Sequence, residues 1–250
     1  MGGEIIMKKY ILFLFAVSLF ISCDTNSELS ASGENSVAGS TARFTLNGNT
    51  LYLINGNNLE TYNMDDDGKL TLLDARLVST DVETIFSRGD ALFLGTSSGM
   101  YIYSLTGSRI PNYQSFYNHI ISCDPVVADS NFAYLTLNNS SSLRCNRGVN
   151  QLEIIDIKDL KNPELLKVYA MKNPRGLAVS GNLLFVCDTK FKIYDKSNAD
   201  SLVLLKELNI RADDVIPNNG TLFLTTSNGF YQYIEEADTL KLISSIPIGQ

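Results

Sequence analysis

The sequence predicts an all-β fold: a β-propeller of five four-stranded blades that follows a signal peptide and a flexible tether. Three observations predict it. Short apolar clusters with an aromatic or β-branched centre recur about every forty residues. Each cluster follows a turn rich in Asn, Asp, Ser or Gly. No segment carries a 3.6-residue apolar period with helix caps.

The elements follow in chain order. Met7 precedes Lys8, Lys9 and an apolar run from Tyr10 to Ile21 that ends at Ser22-Cys23. The basic charge sits after Met7 rather than after Met1, so Met7 is read as the true start. Roughly a dozen apolar residues is signal-peptide length, whereas a membrane-spanning helix needs about 20. Phe20-Ile21-Ser22-Cys23 resembles a lipobox, with Phe20 where that pattern prefers Leu. The resemblance implies removal of residues 1–22 and acylation of Cys23, which makes a lipid bilayer the first expected partner. Several acyl chains anchor firmly where one binds only reversibly. Residues 23–41 are read as the lipidated cysteine and its tether. From Asp24 to about Ser40 this stretch is mostly Ser, Asn, Gly, Glu, Thr and Ala, too polar to offset the entropy of ordering it.

Residues 42–250 are read as the propeller. Two tracks define the repeat. Tyr52, Phe93, Tyr134, Phe185 and Phe223 are 41, 41, 51 and 38 residues apart. Tyr62, Tyr103, Ile155, Tyr194 and Tyr233 are 41, 52, 39 and 39 apart. Both tracks stretch at the third repeat, which places one insertion between Asn138 and Val149. Each repeat reads as strand, tight turn, aromatic-centred strand, third strand and fourth strand. That grammar is a propeller blade, with boundaries near residues 82, 123, 174 and 212.

The third and fourth repeats also resemble a known family. Leu152-Glu153-Ile154-Ile155-Asp156 matches the third-strand motif of bacterial LVIVD-repeat lipoproteins, and Asn162-Pro163, Asn173-Pro174, Gly176-Leu177 and Leu184-Phe185-Val186-Cys187-Asp188 extend the match over residues 123 to 195. The resemblance implies an exported β-propeller and no established catalytic activity. Arg175 stands where the family leads one to expect His.

In a four-stranded antiparallel blade, the start of strand one and the loop between strands two and three share a face. Ten residues before each centre of the first track lie Ala42, Glu83, Asp124, Arg175 and Asp213. These are expected to converge on the channel mouth, with Arg175 holding one of the carboxylates. The insertion adds Arg144 and Arg147 to the same face. Glu83, Asp124, Arg144, Arg147, Arg175 and Asp213 are therefore the candidate binding residues, for a protein or a small polar ligand. Cys123 and Cys145 fall in one blade and on one face, so a disulfide pinning the insertion is expected. It would close a loop of about 20 residues and add roughly 3 kcal/mol. Cys187 is then a small buried hydrophobe.

Other chemistry finds little support. A net charge of −7 argues against a nucleic-acid partner, whose phosphates demand a basic face. Gly95-Thr96-Ser97-Ser98-Gly99 fits G-x-S-x-G, but a strand follows where that motif needs a helix. Asp65-Asp66-Asp67-Gly68 lacks the closing glutamate of a calcium loop and reads as a hairpin. The cysteines lack Cys-x-x-Cys spacing, so no metal is expected, nor any cofactor. The expectation is a non-catalytic binding module, lipid-anchored in the cell envelope, at the outer membrane's periplasmic side or the cell surface. Its rival is an exported hydrolase or lyase working through the acidic residues of the channel mouth.

Overall fold

The computed structural model describes residues 39–120, 125–139, 148–236 and 239–248. Every regular element among them is a β-strand, and the strands form five four-stranded antiparallel sheets arranged as the blades of a propeller. Blade one comprises β1 (Phe44–Asn47), β2 (Thr50–Asn55), β3 (Asn58–Met64) and β4 (Leu70–Leu77). Blade two comprises β5 (Val82–Arg88), β6 (Ala91–Thr96), β7 (Gly99–Ser104) and β8 (Asn112–Asn118). Blade three comprises β9 (Val126–Ala128), β10 (Phe132–Leu137), β11 (Gln151–Asp156) and β12 (Glu164–Ala170). Blade four comprises β13 (Leu177–Ser180), β14 (Leu183–Cys187), β15 (Phe191–Asp195) and β16 (Val203–Leu208). Blade five comprises β17 (Asp214–Asn218), β18 (Thr221–Thr226), β19 (Gly229–Glu236) and β20 (Thr239–Pro247). The five-blade prediction therefore holds, and the strand order in each blade follows the sequence.

The two tracks carry different physical information. The first marks the middle of each second strand, where Tyr52, Phe93, Tyr134 and Phe185 are buried. Burying an aromatic side chain of this kind stabilises by about 2–3 kcal/mol. The second track marks a β-bulge. Register between the third and fourth strands shifts at Thr61/Tyr62, Ile102/Tyr103, Ile154/Ile155, Ile193/Tyr194 and Gln232/Tyr233. Each shift leaves an extra residue on the fourth strand, which bends it and raises its twist. The hairpins joining first and second strands need left-handed backbone: Gly89 has φ 52° and Gly181 has φ 54°. In blade three the Asp129 side chain braces the turn, its Oδ1 accepting from Asn131 N and Phe132 N at 2.9 Å each.

Neighbouring blades share apolar cores. Tyr52, Ile54 and Leu59 of blade one pack with Val82, Ile85 and Leu92 of blade two. A larger cluster joins blades two, three and four, and another joins four and five through Phe185, Phe191, Val215 and Leu224. Among the described residues no such cluster joins blade five to blade one. Thr45 of β1 meets Ser87 of β5 through their hydroxyls at 2.9 Å. Its neighbours Phe44 and Leu46 alternate to the other side, away from blade two, and are 54% and 45% exposed.

Polar contacts bridge this seam. Ser40 Oγ donates to Asp214 Oδ1 at 2.9 Å and accepts from Leu177 N at 2.8 Å. Thr41 donates to Asp214 Oδ2 from Oγ1 at 2.7 Å and from N at 3.3 Å. Ala42 O accepts from Ile85 N at 3.0 Å. Residues 39–42 thus form a strap from blades four and five to blade two. Blade five contains no N-terminal strand: its four strands are all local in sequence.

Candidate functional site at the channel mouth

The starts of the inner strands line an open cleft of about 430 Å³ at the mouth carrying the strap. Its walls include Thr41 ahead of blade one, Glu83 of blade two, Pro125 and Asn138 of blade three, Arg175 ahead of blade four and Asp213 ahead of blade five. Blade one contributes Thr41 rather than the expected Ala42, because the chain turns sharply there and Ala42 N donates to Gly39 O. The opposite mouth is lined by hairpin residues such as Ser180, Gly181, Asn218 and Gly220. Strand alternation and antiparallel order thus divide the two mouths as the repeat grammar requires.

Arg175 is held from several directions. Its backbone N donates to Cys187 O at 2.7 Å, and the next amide, Gly176 N, donates to Asp213 O at 2.9 Å. Thr136 Oγ1 donates to Arg175 O, and the Arg175 guanidinium pairs with Asp213 Oδ1. The side chains of that pair are 34% and 35% exposed, so the pair contributes no more than about 1 kcal/mol. Its value is positional: it fixes a cation and an anion at the rim.

The crossing segment before Arg175 is pinned by Asp188, whose side chain is fully buried. Asp188 accepts from Asn173 N at 2.6 Å, from Lys172 N at 3.2 Å and from Lys192 Nζ at 2.8 Å. Burial pushes the Asp188 carboxyl upward, but the Lys192 and backbone bonds together outweigh burial and hold it below the usual carboxylate range. Asp214 shows the opposite balance: burial dominates over the bonds from Thr41, Val215 and Ser40 and lifts its pKa. Asn138 bridges to the same segment, its Nδ2 donating to Pro174 O and, at 2.9 Å, to Asn173 Oδ1. Because Pro174 O only accepts, this fixes which way the Asn138 amide points. Its Oδ1 is buried and has no hydrogen-bond partner.

Of the residues singled out in sequence, Glu83, Arg175 and Asp213 line this one cavity. Asp124, Arg144, Arg147, Cys123, Cys145 and Cys23 lie outside the described residues. Cys187 is free and buried in the core between blades four and five, where burial pushes its thiol pKa well up. Ser97 of the G-x-S-x-G stretch sits in the turn between β6 and β7 and donates to Asp81 Oδ2 at 2.6 Å. Asp65–Gly68 forms the β3–β4 turn, with Gly68 N donating to Asp65 O at 2.9 Å. Sequence reasoning missed Ser40, Asp214, Asn138 and the pinning role of Asp188. One signal was available for Asp214: it occupies an inward position of a first strand, where an acid demands buried partners.

No family model matches the chain, and no curated protein matches it in sequence. Solved structures do match in fold. A functionally unknown protein from Desulfotomaculum acetoxidans aligns with a TM-score of 0.63 at 11% identity, over 85% of this chain and 69% of that one. The periplasmic gluconolactonase PpgL of Pseudomonas aeruginosa aligns with a TM-score of 0.61 at 14% identity, over 81% and 68%. Apo AztD from Citrobacter koseri aligns with a TM-score of 0.56 at 15% identity, over 85% and 65%. Identities this low establish the propeller fold and nothing about chemistry.

Proposed function

We propose that this chain is an exported, lipid-anchored propeller that serves as a non-catalytic binding module in the bacterial cell envelope. The channel mouth is its binding surface. The observation that carries this reading is the cavity lined by Glu83, Arg175 and Asp213, residues drawn from three blades onto one face. Rigid strands hold these side chains at fixed places, as binding requires, and propellers commonly carry function on such rims. The lipobox-like Phe20-Ile21-Ser22-Cys23 and the resemblance to LVIVD-repeat lipoproteins support export and anchoring. The periplasmic location named for one propeller of similar fold agrees with an envelope setting.

Glu83 and Asp213 also line one cavity, which is the feature a hydrolase or lyase would use. Asp213 Oδ1, however, already carries the Arg175 guanidinium. That pairing favours binding over proton transfer.

Two measurements test the proposal. Cys23→Ala is expected to move the full chain from the membrane fraction to the soluble fraction while leaving its melting unchanged. Continued sedimentation with membranes after a high-salt wash would place the anchor elsewhere. A pull-down from intact cells with the full chain is expected to recover a partner that Arg175→Glu does not recover. Equal recovery by both would remove the mouth from the account.

A further inference from the structure

We infer that the seam between blades five and one is a joint, pinned at its mouth end and closing along the rest of its length. The inference stands apart from any reading of the mouth's ligand. It starts from the repeat, which gives residues of one blade counterparts in the other four. Phe44 pairs across the first hairpin with Leu53, as Ile85 does with Leu94, Val126 with Leu135, Leu177 with Val186 and Val215 with Leu224. The four counterparts of Phe44 are each 0% exposed, whereas Phe44 is 54% exposed. Blade five shows the matching gap on its other face. Tyr52, Phe93, Tyr134 and Phe185 are buried, but Phe223 is only half-buried. Leu59, Met100, Leu152 and Phe191 are fully buried, but their counterpart Phe230 is half-buried too.

These faces are the two halves of one inter-blade contact. In blade four the stacked rings of Phe185 and Phe191, 6.1 Å apart, share a cluster with Val215 of blade five. Blade five repeats the stacked pair as Phe223 and Phe230, 5.6 Å apart, and blade one offers Phe44 at the position Val215 holds. A repeat that ends in solvent needs a polar outer face. Both end faces here keep their apolar residues instead, as a contact between them requires, and its formation would remove apolar area from water. The pin sets where the joint turns. Val215 faces blade four, so its neighbours Asp214 and Ile216 lie on the seam face of β17. Ser40 and Thr41 hold Asp214 there. Polar bonds thus fix the mouth end of the seam, and the apolar length beyond it is what closes. Thr41 also lines the mouth cleft, so the joint and the cleft share a wall.

The packed junction of blades one and two supplies the probe. There Thr45 Oγ1 and Ser87 Oγ meet at 2.9 Å. Their counterparts across the seam are Ile216 and Leu46. The full chain carrying Leu46→Cys and Ile216→Cys is oxidised in membranes isolated from cells that express it, and linked peptides are identified by mass. A disulfide between positions 46 and 216 of one chain is expected. Its rate should lie within about tenfold of that for Thr45→Cys with Ser87→Cys, because the bond needs Cα atoms within about 7 Å. Hydroxyl-radical labelling of Phe44 is expected to fall, once the bond forms, toward that of the buried Phe93. If the double variant fails to fold, labelling of the unmodified chain decides. Tyr113 is 53% exposed and Phe44 54%, so a rigid open seam would label them alike after correction for intrinsic reactivity, whereas a closing joint shields Phe44. Equal labelling of the two would overturn the inference. So would the absence of a 46–216 bond, or a bond formed with Phe44 labelled as strongly as in the reduced variant. A bond that joins two chains would also overturn it and would assign the seam to a second copy.

Discussion

Asp214→Ala is expected to lower the stability of the folded chain by about 3–4 kcal/mol, since a buried donor left without its acceptor costs about 1–3 kcal/mol and Ser40 Oγ and Val215 N both lose Asp214 Oδ1. The substitution strips the acceptor from Ser40 Oγ, Thr41 Oγ1 and Thr41 N at the seam where, among the described residues, no apolar cluster joins blades five and one. For a domain of this size the loss corresponds to a fall in melting temperature of roughly 10 °C. The same seam exposes Phe44 and Leu46 of β1, so the variant is expected to bind an apolar dye more strongly than wild type before it melts. Gly176→Ala should reach a similar end by another route. A Cβ there would run into Asp214 Oδ1 and the backbone of residues 213 and 214, none of which is the free end of a flexible side chain. A change in stability below about 0.5 kcal/mol for Asp214→Ala, the size of an ordinary surface substitution, would show that the strap does not close the ring.

Asp188→Asn is expected to cost about 3 kcal/mol at pH 7, the usual penalty for leaving a buried charge without its partner. Lys192, with a side chain 14% exposed, would lose the carboxylate that neutralises it. The pH dependence separates this loss from simple misfit. Asp188 has a depressed pKa in the folded chain, so its contribution is present above the unfolded carboxyl value of about 4 and is lost as pH falls through the depressed value. Asp129 behaves in the same way. Burial raises it, but Lys196 and the amides of Asn131 and Phe132 outweigh burial. Asp214, with its raised pKa, contributes in the opposite sense: its part is fully present below about pH 4 and is lost as pH rises through the raised value. The gap between wild type and Asp188→Asn in chemical denaturation is therefore expected to narrow between pH 7 and pH 3. A gap that stays constant would mean that shape, not charge, sets the cost. Because Asp188 also holds Lys172 N and Asn173 N, the variant should disturb Arg175 at the mouth even where the fold survives.

The blade plan was legible because each blade repeats one pattern of burial, and aromatic and Gly-rich positions mark it without any long-range information. The bulge at each second-track residue is the structural reason that track kept its period. Convergence of Glu83, Arg175 and Asp213 was legible for the same reason: equal offsets from a buried centre land on equal heights of the channel. The closure was not legible. Ser40 and Thr41 read as the end of a polar tether, and only the return of blade five to meet them, some 174 residues later, gives them partners. Asn138 and Asp188 were hidden similarly. Each holds a crossing segment of the chain whose path no local pattern encodes. The fourth strands expose apolar residues such as Leu72, Leu204 and Leu242 on the outer rim, which a simple alternation of buried and solvent-facing residues does not anticipate.

Ligands or partners are expected to meet this protein at the mouth bearing Glu83 and Arg175. Photo-crosslinking in intact cells tests it directly. A benzophenone amino acid is placed in the full chain at Glu83, at Ser180 on the opposite mouth, or at Lys167 on an outer strand, each in a separate strain. A discrete adduct is expected from position 83 and none from positions 180 and 167. Adducts confined to positions 180 or 167, with position 83 silent, would contradict it.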